Sequence, residues 1–288
     1  MIHFLRYRSA CAALSILLLL AGGAAYIRNG GFNYHIDFVG GSELHVTFEK
    51  QIATSVVRNA LHGDIWGNAV IQSAGTTGKS FLIKVKESGK DLEDQFLKAV
   101  SKAISDNAVV IDNVAWVGAE VGNDIKWDAI FAILLALLGM LCYIAIRSQY
   151  RFAAGAVVAL AHDILVVLSV LLLLNEQISL NVLAALLTTL GYSINDTIVI
   201  FSRIQDNFGA LKNRSEQEIV DISINQTLRR TLLTSFTTFL AVLALYLIGG
   251  EALKGFSLSM LVGIVAGTYS SIYIASPVML AIGSSKQS

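Results

Sequence analysis

The sequence predicts an α-helical membrane protein of six transmembrane helices, with a small α+β domain of ferredoxin-like βαββαβ order between the first and second. Three observations carry this. The 288 residues are 55% hydrophobic and only 15% charged, with a mean hydropathy of +0.64, a balance that soluble domains rarely show. Six apolar segments reach spanning length: Ser9–Ile27, Trp127–Ile146, Phe152–Leu174, Ser179–Phe201, Thr231–Ile248 and Phe256–Ile282. Between the first two, residues 28–126 show strand and amphipathic-helix patterns instead of a membrane pattern. The net charge of zero leaves no basic footprint for nucleic acid.

The first span follows Arg6 and Arg8 and ends near AGGAA, features that a cleaved secretory signal would share. Its length favours a retained anchor. In the outer segment, Ser42–Glu49 alternates, with Leu44, Val46 and Phe48 on one face, and reads as a strand. A helix is expected over Ile52–Leu61, and strands over Asn68–Ser73 and Ser80–Val85 across the turn-rich AGTTG. Leu92–Ile104 is an amphipathic helix whose first turn holds acids that suit the dipole. Ala108–Val117 completes the order as a strand. His35, His45 and His62 have no metal-ligand spacing, so the domain reads as a binding or docking module with neither a catalytic nor a metal site. Cys11 and Cys142 both fall in spans and make no disulfide framework.

Charge placement orients the chain. With the N-terminus in the cytoplasm, Arg6, Arg8, Arg147, Arg151, Arg203, Lys212, Arg214, Arg229, Arg230 and Lys286 all lie inside. The expected organisation is therefore 1–27, cytoplasmic N-terminus and first span; 28–126, outer domain with its joins; and 127–288, the remaining five spans and a cytoplasmic C-terminus.

Polar groups inside the spans are costly, and they mark the candidate site. The fourth span carries Asn195 and Asp196, the acid lying roughly 24 Å along the helix from Leu180. Thr189, Ser193 and Asp196 fall at i, i+4 and i+7 with Tyr192 beside them, a polar lining that belongs against another helix or a wet crevice. In the third span, Arg151, Gly155, Ala159 and Asp163 share a face, and His162 adjoins. His162 and Asp163 read either as a structural lock between helices or as proton carriers. In the fifth span, Thr227, Arg230, Thr231, Thr234 and Thr238 form a second stripe. Arg230 sits at a depth comparable to Asp196 and is expected to pair with it, the other reading being an arginine that snorkels to lipid phosphate. The last span has Ser259, Gly263, Gly267 and Ser271 at steps of four, a small-residue packing seam.

These residues lie in longer runs that resemble one family. HIDFVGG (His35–Gly41), VGAEVG (Val117–Gly122), LNVLAALLTTLGYSINDTIVIFSRI, SINQTLRRTLLTS (Ser223–Ser235) and GFSLSMLVGIVAGTYSSIYIA (Gly255–Ala275) resemble the SecF side of the SecD/SecF family of bacterial protein export. The resemblance runs nearly end to end. It implies a half-bundle of the resistance–nodulation–division superfamily, a periplasmic placement for residues 28–126, and the inner membrane as location. It implies SecD as partner half, the SecYEG channel and SecA as associates, and YajC and YidC as further partners. The implied substrate is unfolded preprotein, pulled or released by the proton motive force, with membrane lipid around the bundle and no cofactor. The family's embedded acid falls on Asp196 and its arginine on Arg230. The chain departs from the family at His35, where glycine is common, at Ala119, where proline is frequent, and at Ser202, where an acid is common. Two other function classes fit less well. Half of a small-molecule efflux pump would need a larger outer domain. A passive scaffold would use the polar stripes only to hold the assembly together.

Overall fold

Among the described residues, six helices are long and apolar enough to cross a membrane. The computed structural model describes residues 1–61, 65–66, 69–74, 77–86, 91–104 and 107–284. Contacts divide the chain into two units, Met1–Asn33 with Phe131–Ser288, and Tyr34–Ile130.

The smaller unit contains a short helix α2 (Ile36–Val39), strand β1 (Gly41–Phe48), helix α3 (Thr54–Ala60), strands β2 (Val70–Ala74) and β3 (Ser80–Val85), helix α4 (Leu92–Ala103) and strand β4 (Val109–Val117). The sheet is antiparallel throughout, in the order β2-β3-β1-β4, the ferredoxin-like arrangement. Alternation sends Leu44, Val46 and Phe48 of β1, with Phe81, Ile83 and Val85 of β3, onto one face, where they bury Val57, Phe96 and Val100 of the helices. A bulge between His45 and Val46 shifts the register of β1 against β4. The sequence reading omits α2. Four residues give no periodicity to read, and the turn forms because Gly40 takes φ +73° and lets the chain double back into β1.

The face of the sheet opposite the helices carries a charge cluster in which Glu43 and Lys84 are buried. Glu43 accepts from Lys84 Nζ at 3.1 Å and lies 2.8 Å from His35 Nε2 and 3.1 Å from His45 Nε2. His35 Nδ1 lies 3.1 Å from Asp37. Burial alone would lower the His35 pKa, but hydrogen bonds to Asp37 and Glu43 outweigh it and hold the imidazole at about 9. Burial likewise opposes ionisation of Glu43, and the bonds to His35 and Lys84 overcome it, drawing the carboxyl down to about 2. His62 lies outside the described residues.

The larger unit begins with a 3-10 turn (Phe4–Tyr7) and helix α1 (Arg8–Asn29). Helix α5 (Ala119–Arg147) is followed by α6 (Tyr150–Leu174), α7 (Leu180–Ala210) and α8 (Glu216–Ile248). The last span is α9 (Glu251–Ser270), a π-helical turn (Ser271–Ala275) and α10 (Ser276–Ser284). Helices α7 and α8 are 31 and 33 residues long, well past the roughly 20 that span hydrocarbon. Their polar ends extend the spans expected at Ser179–Phe201 and Thr231–Ile248, because caps, and not hydropathy, set where a helix stops. Ser179 Oγ accepts from Val182 N–H at 3.3 Å. Ser215 and Glu218 form a reciprocal capping box that starts α8 as far back as Glu216. The start of the chain docks on α8: Asp221 accepts from Leu5 N–H at 3.0 Å, and Asn225 exchanges hydrogen bonds with the backbone of Ile2.

Candidate functional site

Helix α7 is the axis of the site, and its packing explains where each polar group goes. The small residues of α9 let the two backbones approach. A Cβ on Gly263 would lie 2.3 Å from Thr189 Oγ1, and one on Gly267 would lie 2.9 Å from Ser193 Cβ. One turn on, Ser271 Oγ and Thr197 Oγ1 are 2.9 Å apart. Ser259 is buried, its hydroxyl returned to the carbonyl of Gly255. Thr189 is enclosed in this seam, with Oγ1 3.6 Å from Met260 Sδ. The sequence reading placed it on the polar lining; close approach of Gly263 takes it out of reach.

Asp196 is buried at a cleft of about 240 Å³ lined by Tyr192, Asn195, Thr234, Ser235, Thr268 and others. Its Oδ2 accepts from Ser235 at 3.1 Å, and Thr268 donates on to Ser235 at 2.8 Å. Tyr192, Asn195 and Thr234 border the cleft with exposed side chains. The expected ion pair with Arg230 is not formed: Arg230 acts on Asp196 through space only. Helix register is the reason. Ser235 stands opposite the acid, and Arg230 lies five residues earlier on α8, about 7.5 Å along the axis. There it borders a separate recess with Arg203 and Asp206.

A second acid is more deeply enclosed. Asp163 of α6 is fully buried, and its Oδ2 accepts from Ser193 at 2.5 Å and Ser270 at 2.9 Å. His162 Nδ1 lies 3.2 Å from Asp163 Oδ1, and its Nε2 lies 3.0 Å from Ser15 Oγ of α1. The divergence of neighbouring helix positions sends His162 to α1 and Asp163 to α7 and α9. Ser193 thus serves both sites, touching Asp163 while bordering the Asp196 cleft. Arg151, three turns earlier, reaches Glu216 at 3.3 Å and packs over Phe152 and Phe208.

Sequence reasoning missed Ser235, Thr268 and Ser270 beside the two acids, and Ser15 and Tyr269 beside His162. Serine and threonine in a span normally bond their own helix, as Thr234 and Thr238 do here, so nothing in the chain marks the ones that reach across. Among the described residues, no group of three or more His, Cys, Asp or Glu is placed to hold a metal ion.

The family described as protein export membrane protein SecD/SecF, C-terminal, matches residues 96–285. The chain belongs to the SecD/SecF family. Protein translocase subunit SecF of Thermodesulfovibrio yellowstonii is 40% identical over 286 residues, 98% of this chain and 95% of that protein. SecF of Escherichia coli O157:H7 is 38% identical over 291 residues, covering 99% and 88%. Among solved structures, SecDF of Thermus thermophilus, a translocon-associated membrane protein, superposes with a TM-score of 0.88 at 34% identity. A SecDF in a super-membrane-facing form gives 0.71 at 32%. The chain spans 39% of each SecDF chain. It is a multi-pass membrane protein of the SecD/SecF export family, SecF-like along almost its whole length.

Proposed function

We propose that the chain is the SecF half of a SecD–SecF complex that uses the proton motive force to assist late steps of preprotein translocation through SecYEG, after SecA. One observation carries this reading. Asp196 is a carboxyl buried in a spanning helix, it has hydroxyl partners and, among the described residues, no ion pair, and it borders a polar cleft. A group so placed is expensive to keep charged and sits where a proton can reach it. Protonation neutralises it, weakens its hold on Ser235, and lets α7 move against α8 with Arg230 nearby. Moving one charge through the membrane potential contributes about 2.3 kcal/mol per 100 mV, enough to shift a two-state balance tens-fold. The motion would pass to residues 28–126 on the periplasmic side through the glycines of HIDFVGG and VGAEVG. Both termini lie on the cytoplasmic side of the inner membrane in this reading, which the arginine and lysine placement supports.

The test is export into vesicles that contain this chain, SecD, SecYEG and SecA. Asp196→Asn should insert and assemble normally while losing the component of export that responds to the proton motive force. A variant that responds as the parent does would remove the basis of the proposal.

A further inference from the structure

The hydrogen-bond geometry around His162 fixes where its hydrogens lie. The Tyr269 hydroxyl lies 2.6 Å from the carbonyl oxygen of Cys11. A carbonyl only accepts, so the single phenolic hydrogen is used there. Ser15 Oγ lies 3.0 Å from the same phenolic oxygen, and must therefore be the donor of that bond. With its hydrogen committed, Ser15 can only accept from His162 Nε2 at 3.0 Å. Nε2 therefore carries a hydrogen. On the other side of the ring, Nδ1 lies 3.2 Å from Asp163 Oδ1. A bare imidazole nitrogen and a bare carboxylate oxygen are both acceptors and would repel at that distance. A second proton lies between them.

We propose that His162 and Asp163 form a proton-holding dyad that is loaded in this conformation, with Ser15 and Tyr269 as positioning residues that dictate the protonated nitrogen. Imidazolium with carboxylate, and imidazole with carboxylic acid, differ only in where the shared proton rests. Either form is neutral overall, which is how an acid with no exposed surface is tolerated in a span. The groups that face the dyad are Ser15 from α1, Ser193 from α7, and Tyr269 and Ser270 from α9. Among the described residues its only ion pair is internal. The wall beside the imidazole is apolar, formed by Leu14, Leu18, Val166 and Val265. Ser193 lies three residues before Asp196 on α7, so a shift of α7 that repacks Asp196 also moves the Ser193 hydroxyl against Asp163. The role in transport rests on the proton-coupled reading of Asp196; the existence of the dyad does not.

The test is nitrogen NMR of the full chain, isotope-labelled at histidine, in lipid bilayers at neutral pH, with the His162 signals assigned by their loss in His162→Gln. The expected spectrum has a protonated Nε2 and an Nδ1 signal displaced from that of a bare imidazole nitrogen. An imidazole with hydrogen on Nδ1 and none on Nε2, or a bare Nδ1 signal, overturns the proposal. Tyr269→Phe frees the Ser15 hydroxyl and should convert the fixed Nε2–H form into a mixture of tautomers; an unchanged spectrum removes the positioning role. Asp163→Asn offers an amide donor to Nδ1 and should leave Nδ1 a hydrogen-free acceptor with its signal moved from the parent's position; persistence of the parent Nδ1 signal also overturns the dyad. Asp196→Asn should leave these signals in place, so failure of the export experiment and failure of the dyad are read separately.

Discussion

At residue scale, His35 shows how one side chain ties the stability of the outer unit to pH. Its imidazole bridges Asp37 and Glu43, and its folded pKa of about 9 stands above the ordinary histidine value of 6.5. The stabilisation is therefore complete below about 6.5 and is lost as pH rises through 9. Glu43, drawn down to about 2 from 4.5, contributes above 4.5 and loses its share as pH falls through 2. The pair is most stabilising between those limits. Protection of β1 amides from hydrogen exchange, relative to the intrinsic rate at each pH, should thus fall between neutral and alkaline pH in the full chain. His35→Ala should remove most of that loss of protection at alkaline pH. At the intramembrane acid, Ser235→Ala removes a hydroxyl that donates to Asp196 at 3.1 Å. A hydrogen bond to a charged group contributes about 1.5–3 kcal/mol, so the pH profile of proton-driven export should move while its maximum rate persists.

At the scale of elements, the seam of α7 against α9 sets the geometry of both acids. Gly267→Val would drive a side chain into Ser193, since even a Cβ there would sit 2.9 Å from the serine Cβ. Overpacking of this kind costs about 1–3 kcal/mol, and here it also displaces the donor to Asp163. A lowered unfolding temperature in detergent, together with altered His162 signals, is the expected outcome. Gly191, on the same helix α7, has nothing within 4 Å of its would-be Cβ. Gly191→Ala should leave stability unchanged or raise it by up to about 1 kcal/mol through helix propensity. The last span is not a uniform rod. Its π-helical turn precedes Pro277, and Ser276 Oγ bonds the carbonyl of Ser271 at 3.1 Å. Proline has no N–H to continue the ladder, and a widened turn accommodates that loss next to the buried Ser270 and Ser271.

On the scale of the whole molecule, the bundle leaves polar groups on its outside. Asn195, Thr234 and Thr237 are exposed on α7 and α8; the two threonine hydroxyls return to carbonyls of their own helix, but a side-chain amide such as that of Asn195 is costly to leave against hydrocarbon. A partner helix bundle is the natural cover, and the proposed SecD half supplies one. With Cys11 and Cys142 replaced, a cysteine at Asn195 or Thr237 should cross-link to SecD in native membranes. One at Leu17, exposed on α1, should not. Cross-linking at Leu17 alone would place the partner on another face and remove this assignment.

Much of the fold was legible in the chain because the signals are local. Alternation in Ser42–Glu49 and Ser80–Val85 marks strands whose observed bounds, Gly41–Phe48 and Ser80–Val85, differ by a residue or not at all. Six apolar runs mark six spans, and the cost of charge in hydrocarbon singles out Asp163 and Asp196 before any contact is known. Which hydroxyl answers each acid depends on helix register and rotation, and those follow from small residues packing across α7 and α9. Hence tertiary structure alone decided that Asp196 meets Ser235 instead of Arg230, and that Thr189 is sealed in a seam. It also decided that Ser15, Tyr269, His162 and Asp163 form one connected chain. Sequence determines where a costly group must lie along its helix, because burial is a property of the segment. Its partner is set by the distance between segments, which only their packing fixes.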